Sequence, residues 1–172
     1  MKLHTLPTHT YSPAIVNAII EIPKGTSIKY EYDEEYDIFV ADRTLCSAMT
    51  YPANYGFIPN TLAEDKDPLD IIVYNSLPFN TGSLVECTVL GVLDMTDKNE
   101  KDWKILAAPI SHIKKYDNIE DIEDTFLQVC KNFFEHYKDL TGKRVEVTDW
   151  YDKFTAHNII EECTARVKAY SY

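Results

Sequence analysis

Apolar positions recur with two different periods along this chain, and the period changes near residue 120. Before that point, apolar and polar side chains either alternate, as in half-buried strands, or form short continuous apolar runs, as in buried strands. In residues 28–32, for example, Ile and Tyr side chains share one face and charged side chains share the other. The predicted strands cover residues 14–22, 28–32, 38–42, 71–74, 84–95, 102–108 and 143–149.

The last third of the chain shows helical spacing instead. One set of apolar residues falls at intervals of three and four, which indicates an amphipathic helix: Phe126, Val129, Cys130, Phe133, Phe134 and Tyr137. Acidic residues at 120–124 suit the start of this helix and Gly142 suits its end. Residues 156–170 carry a second set of apolar positions and predict a second helix that closes the chain.

Two segments carry no clear period. Residues 1–13 are expected to form an irregular N-terminal arm, and residues 44–63 contain so many turn residues that they indicate loops. Strands early in the chain followed by two C-terminal helices predict an α+β fold, with about five strands closing into a small barrel. We expect residues 1–172 to form a single domain, since this length suits one domain.

Composition narrows the classes of partner. Hydrophobic residues make up 45% of the 172 residues and aromatic residues 12%, which is typical of a chain with a folded core. The formal net charge of −11 argues against nucleic acid and against an anionic membrane surface as the main partner. It does not exclude an anionic substrate, because bound metal ions can invert the local field.

The cysteines and the N-terminus indicate the compartment. Cys46, Cys87, Cys130 and Cys163 are widely spaced and form no CxxC pattern, so we expect four reduced thiols. Residues 1–13 lack the apolar run of a signal peptide, and no stretch of the chain is apolar for long enough to span a membrane. The sequence therefore predicts a cytoplasmic protein.

The densest chemistry lies in the segment from Asp65 to Asp70, with three carboxylates in six residues. Pro68 favours an extended conformation at Asp67, so Asp65 and Asp67 are expected to point the same way with Lys66 turned away. Two carboxylates about 4 Å apart repel by about 4 kcal/mol at an effective dielectric constant of about 20. Bound Mg²⁺ or Ca²⁺ would relieve that repulsion. A solvated acidic turn is the alternative interpretation, and this segment alone does not decide between them.

Other predicted strands and turns carry residues that complement this segment. Further carboxylates, cations and phenols come from separate elements: Glu21, Glu31, Asp97, Asp102, Lys29, Arg43, Lys104, Tyr51 and Tyr55. Gathered at one end of a barrel, such carboxylates would hold Mg²⁺ while Lys, Arg and Tyr donors contact phosphoryl oxygens. Taken singly, Asp102 and Lys104 also fit a surface cross-strand pair, Tyr137 fits a core position, and Lys138 fits a solvated one.

An ordered set of motifs makes the chain resemble the family I soluble inorganic pyrophosphatases in their bacterial form. The strongest match is the D-x-D-P-x-D signature at 65–70. Further matches follow in family order: Glu21-Ile22-Pro23, Lys29-Tyr30-Glu31, Asp42-Arg43, the segments 51–56 and 91–97, Asp102-Trp103-Lys104 and the segment 133–140. Together they cover roughly residues 14 to 150.

The resemblance implies an OB-like five-stranded barrel and Mg²⁺-dependent hydrolysis of pyrophosphate to two phosphates, with no covalent intermediate. It implies metal ligation by Asp65, Asp70, Asp97 and Asp102, and a general-base role for Asp67. It also implies phosphate contacts by Lys29, Arg43, Tyr55, Lys104, Tyr137 and Lys138, with Glu21, Glu31 and Tyr51 as supporting residues.

Two further expectations follow from the resemblance. Bacterial members are commonly homohexamers, and His112 and His136 could lie at a subunit contact. Lys66 departs from the small residue usual in the family, and it would carry a strain cost if its position requires a positive φ.

The alternative function is a non-catalytic OB-type module that binds a divalent cation or another ligand. An oligonucleotide-binding module predicts exposed aromatic side chains on a basic groove, which the net charge of −11 does not favour. A pure cation site has no need of the Lys, Arg and Tyr set that would contact phosphate.

Overall fold

The computed structural model describes residues 2–111 and 115–170 of the chain. Within these residues the strands are β1 (Ile15–Ile22), β2 (Ile28–Asp33), β3 (Ile38–Thr44), β4 (Asn54–Ile58), β5 (Leu69–Val73), β6 (Leu84–Asp97), β7 (Glu100–Lys101), β8 (Lys104–Pro109) and β9 (Val145–Asp152). The α-helices are α1 (Asp124–His136) and α2 (Lys153–Tyr170). The described part of the arm before β1 contains a short 3₁₀ turn, Leu3–Thr5, and no strand or α-helix.

Five strands form a closed ring, which confirms the predicted small barrel. The order around the ring is β1, β4, β5, β8 and β6, and β6 pairs with β1 to close it. Only β5 and β8 are parallel in this ring, while its other neighbours are antiparallel. The long strand β6 continues beyond the ring and pairs there with β7 and β9.

Strand β4 corrects the prediction that residues 44–63 are loops throughout. All five residues of β4 are buried. A Cβ atom added to Gly56 would lie 1.8 Å from the carbonyl oxygen of Ile19 on β1. Glycine is therefore required here for close approach of two strands, whereas the sequence pattern indicated a turn. The Pro and Asn residues that suggested loops flank the strand or begin it.

The β2–β3 hairpin is a separate two-stranded sheet beside the ring, as the alternating pattern predicted for a hairpin. A register shift between Lys29 and Tyr30 interrupts its ladder. Lys29 pairs in register with Arg43, so two predicted phosphate contacts lie on neighbouring strands. This hairpin therefore presents its basic residues from outside the ring.

Apolar side chains cover both faces of the ring. Ile71 and Ile72 are both buried but belong to different clusters, as expected for strand neighbours that point to opposite faces. Ile160 of α2 packs into the first cluster and Phe133 of α1 into the second. The two predicted helices are thus confirmed as the covering layer of the sheet. In the described part of the chain, neither helix is apolar enough over a sufficient length to cross a membrane.

The four cysteines are free thiols in the structure. Cys46 is exposed, and the other three are buried. This arrangement agrees with the reduced state that their spacing predicted.

Candidate active site

One cavity of about 530 Å³ opens at the end of the ring beside the hairpin. All fourteen residues predicted for the site line it: Glu21, Lys29, Glu31, Arg43, Tyr51, Tyr55, Asp65, Asp67, Asp70, Asp97, Asp102, Lys104, Tyr137 and Lys138. The ring, the hairpin, the acidic loop and the end of α1 each contribute some of these residues. The structure therefore brings together residues that are up to 117 positions apart in sequence, between Glu21 and Lys138.

The acidic loop before β5 is a turn, which corrects the predicted extended segment. The N–H of Ala63 donates to the carbonyl of Asp67 at 2.8 Å, and the N–H of Asp67 donates to Oδ1 of Asp65 at 3.1 Å. Lys66 has φ of 74°, in the left-handed region. The chain bends at Lys66, one residue before the position that Pro68 restricts, and these local hydrogen bonds hold the bend. The strain that the sequence suggested for Lys66 is therefore present.

Lys104 joins two of the predicted metal ligands. Its side chain is 4% exposed, and its Nζ donates to Oδ2 of Asp70 and, at 2.5 Å, to Oδ1 of Asp102. Parallel pairing of β5 with β8 places Asp70 opposite Lys104. Burial alone would lower the pKa of Lys104, but the two carboxylates outweigh it and raise this pKa. Lys104 is therefore a firmly charged ammonium group.

The carboxyl groups nearest the acidic loop hold protons more tightly than usual. Burial raises the pKa of Asp67, and the neighbouring Asp65 carboxylate raises it further. Burial also raises the pKa of Asp65 and of Asp102. Burial raises the pKa of Glu21 to about 8, although its Oε1 accepts the N–H of Tyr32 at 2.9 Å. This crowding is the electrostatic stress that added cations would relieve.

The opposite side of the cavity carries paired charges. Nζ of Lys29 contacts Oε1 of Glu31, which confirms that these two residues share a face of β2. Nζ of Lys138 donates to Oδ2 of Asp97 at 2.5 Å. The other oxygen of Asp97 is buried and has no hydrogen-bond partner among the described residues.

Aromatic packing fixes the three predicted tyrosines. The ring of Tyr51 lies 4.8 Å from that of Phe133, and the ring of Tyr55 lies 5.9 Å from that of Phe134. Phe133 also stacks on Tyr137, with ring centroids 5.2 Å apart. Burial raises the pKa of Tyr51 and of Tyr55, so both phenols remain hydrogen-bond donors.

The carboxylates do not form a finished metal centre in this arrangement. No group of three His, Cys, Asp or Glu side chains within residues 2–111 and 115–170 is arranged to hold a metal ion. Three of the four predicted metal ligands are paired with lysines, since Lys104 contacts Asp70 and Asp102, and Lys138 contacts Asp97. The donor set fits hard cations, since it consists of carboxylate oxygens and includes Oδ1 of Asp97, which has no hydrogen-bond partner among the described residues.

Several cavity residues were missed by sequence reasoning: Tyr32, Glu34, Lys98, Glu100, Lys101 and Lys143. The polar turn at 96–101 was recognised, but its alternation gave no sign of which side chains face the cavity. Lys98 and Asn99 both have positive φ, 52° and 67°. In such a tight turn, side-chain direction does not follow the alternation of a strand, so the sequence pattern does not show which side chains face the cavity.

None of the histidines among the described residues lines the cavity. Nδ1 of His136 is 2.9 Å from Oδ2 of Asp139, and about half of the His136 side chain is exposed. His136 does not line the cavity. The other histidine considered for a subunit contact, His112, lies outside the described residues.

Comparison with known proteins places this geometry in a family context. Residues 18–168 match the family model described as inorganic pyrophosphatase. The chain is 46% identical over 161 residues to the inorganic pyrophosphatase of Campylobacter jejuni, covering 91% of this chain and 94% of that protein. It is 44% identical over 162 residues to the corresponding protein of Aeropyrum pernix, covering 91% and 92%.

Solved structures agree with the sequence relatives. The crystal structure of inorganic pyrophosphatase from Thermus thermophilus superposes with a TM-score of 0.94 at 39% identity, covering 98% of this chain and 99% of that one. The inorganic pyrophosphatase of Helicobacter pylori gives a TM-score of 0.89 at 38% identity, covering 95% and 98%. The ring and its covering helices are therefore the fold of these proteins.

Proposed function

The chain belongs to the inorganic pyrophosphatase family, and from this premise we propose how its cavity hydrolyses pyrophosphate to two orthophosphates in a metal-dependent reaction. The observation that carries the proposal is the make-up of the cavity, where nine carboxylate side chains meet seven basic ones. A pyrophosphate anion adds negative charge to this set. Its binding therefore calls for additional cations, which carboxylates in excess can retain.

We assign the metal sites to Asp65, Asp70, Asp97 and Asp102. These carboxylates would hold divalent ions, which would supply positive charge to acidify water and to offset charge on the phosphoryl oxygens. Asp65 forms no ion pair with the described residues, and one oxygen of Asp97 has no partner among them. Both side chains therefore have a carboxylate oxygen available as a metal ligand. Mg²⁺ is our choice among hard cations.

Asp67 acts as the general base. Burial raises the pKa of Asp67 and so moves it toward the range in which a carboxylate can accept a proton from attacking water. No ion pair with described residues engages its carboxylate, so the proton can be received directly on a carboxylate oxygen. The hydrogen bond from its own N–H to Asp65 holds the two residues in a fixed relation.

The basic residues and phenols hold the substrate. Lys29 and Arg43 approach it from the hairpin, whereas Lys104 and Lys138 approach from the ring and from the end of α1. Tyr55 and Tyr137 supply hydroxyl donors from the aromatic wall. These donors grip phosphoryl oxygens and stabilise charge on the leaving phosphate. Glu21, Glu31 and Tyr51 support them through the contacts described above.

Direct attack by water needs no side-chain nucleophile. Among the described residues that line the cavity there is no Ser, His or Cys. A non-catalytic binding module is not favoured, because such a module has no need of a general base beside phosphate-gripping cations. Four expectations remain predictions: Mg²⁺ as the metal, a homohexamer, a cytoplasmic location and a single domain.

The test uses Asp67→Asn with Asp149→Asn as its control, since the Asp149 side chain is 70% exposed and lies outside the cavity. Phosphate release from pyrophosphate is measured with Mg²⁺. We expect Asp67→Asn to lose about 10²–10⁴-fold in kcat and the control to keep its rate. Full activity in Asp67→Asn would refute the base assignment alone, whereas an inactive wild-type protein would refute the function.

A further inference from the structure

The two ends of the acidic loop are joined by one buried hydroxyl group, that of Thr61. Oγ1 of Thr61 donates to the carbonyl of Ile58 at 2.5 Å and accepts the N–H of Leu69 at 2.9 Å. Thr61 is 5% exposed and Leu69 is 1% exposed. The hydroxyl therefore links the end of β4 to the first residue of β5, and the loop with Asp65 and Asp67 spans the interval between them.

Further hydrogen bonds continue from this link toward the tip of the loop. The N–H of Ala63 donates to the carbonyl of Asp67, and the N–H of Lys66 donates to the carbonyl of Ala63 at 3.3 Å. The loop is thus a nested set of bonds, with Thr61 and Leu69 at the base and Asp65 at the tip. The hydrogen bonds near Asp65 and Asp67 lie within the segment that the Thr61–Leu69 bond closes. The Thr61–Leu69 bond therefore influences the position of these two carboxylates.

Helix α2 forms hydrogen bonds to Leu62, the residue that follows Thr61. The N–H of Leu62 donates to the carbonyl of Cys163 at 3.0 Å. Nη1 of Arg166 donates to the carbonyl of Leu62 at 3.2 Å. One side of the loop is therefore anchored to a helix, and the Thr61 hydroxyl connects this anchored side to β5, which carries Asp70.

We propose that Thr61 is a positioning residue, whose hydroxyl sets the position of the Asp65 and Asp67 carboxylates relative to Asp70. The proposal rests on the proposed function, because it assumes that these carboxylates act together on metal and water. Metal ligands and general bases depend on such supporting bonds for their orientation. Thr61 itself touches neither substrate nor metal in this account.

Thr61→Val keeps the shape of the side chain and removes the hydroxyl. The N–H of Leu69 then loses its acceptor, and the loop base is free to open. We expect Mg²⁺ to bind about tenfold more weakly, the low end of the range for supporting residues, because Thr61 acts through the backbone. Thr61→Ser restores the hydroxyl and should recover most of the affinity.

Thr8 provides a matched control. It is also 5% exposed, and its Oγ1 donates to the carbonyl of Pro59 at 3.0 Å, beside the same end of β4. Its hydroxyl does not bond to Leu69. Thr8→Val therefore removes a comparable buried hydroxyl group and should lower the unfolding temperature without weakening Mg²⁺ binding.

The experiment measures Mg²⁺ affinity of the full-length protein by titration calorimetry, together with unfolding temperature and phosphate release. Weaker Mg²⁺ binding in Thr61→Val, recovery in Thr61→Ser and unchanged binding in Thr8→Val are expected. Equal Mg²⁺ affinity in both valine variants would overturn the positioning role and leave only a structural one. Absence of phosphate release by the wild-type protein would instead overturn the function on which the proposal rests.

Discussion

Replacing Lys104 tests whether its positive charge offsets the negative charges of the Asp70 and Asp102 carboxylates. The variant Lys104→Met keeps a long flexible side chain and removes the ammonium group that contacts Asp70 and Asp102. In the metal-free protein these carboxylates then face each other without a cation. When metal ions occupy the site, they replace the missing charge, so the defect should depend on Mg²⁺.

The size of the effect follows from burial. Removing one partner of a buried ion pair costs about 3–5 kcal/mol, and the low end applies because the Asp70 and Asp102 side chains are 27% and 15% exposed. A loss of about 3 kcal/mol lowers the unfolding temperature by roughly 6–12 °C in a chain of this size. With saturating Mg²⁺ we expect the difference in unfolding temperature between variant and wild type to fall to less than about half, because metal ions that bind the folded protein stabilise it.

The assay is thermal unfolding of both proteins in chelator and in Mg²⁺. Lys131→Met serves as the control, because Nζ of Lys131 donates to the carbonyl of Thr148 at 2.7 Å and lies 3.8 Å from Asp149, and none of these residues lines the cavity. Its defect should be the same in both conditions. A Lys104→Met defect that is equally large with and without Mg²⁺, or absent in chelator, would show that Lys104 does not offset the charge of Asp70 and Asp102.

Three further predictions concern stability. Lys66→Gly should raise the free energy of unfolding by about 0.5–1 kcal/mol in denaturant titrations, because glycine has no Cβ atom to strain a positive φ. Lys66→Ala is the control: it also loses the charge but keeps Cβ, so it should not raise this free energy. In chelator, stability should fall as pH rises from about 5 to about 8, because folded Glu21, with a pKa of about 8, keeps a proton that the unfolded chain releases near 4.5. Glu21→Gln should flatten that slope, and an unchanged slope would contradict it. Gly56→Ala should cost about 3 kcal/mol or more, measured by thermal unfolding, because its Cβ would collide with the Ile19 carbonyl; wild-type stability would contradict this packing.

Strand and helix periodicity predicted most of the architecture, because the ring buries both faces of β-branched strands and the helices bury one stripe each. The run at 71–72 and the helical spacing around Phe133 are examples of that signal. Strand β4 was not predicted because Gly56 is typical of turns in sequence. Its role in the close approach of β4 to β1 is visible only when both strands are placed together. Closure of the ring likewise depends on pairing between β1 and β6, which local periodicity does not encode.

The candidate site was found through its ordered motifs, and its residues do line one cavity. The shape of the acidic loop was predicted wrongly, since the chain bends at Lys66, which has a positive φ, and hydrogen bonds within the turn hold that bend. The pairing of Lys138 with Asp97 was not predicted, because it joins the second residue after α1 to the last residue of β6. Such long-range contacts are set by tertiary packing.

The central claim is metal-dependent hydrolysis of pyrophosphate in this cavity. The most direct measurement is phosphate release by the purified protein supplied with pyrophosphate, first with Mg²⁺ and then with excess chelator. The account predicts two phosphates per pyrophosphate with Mg²⁺ and release near background with chelator. Release at background in both conditions, or release that chelator leaves unchanged, would contradict it.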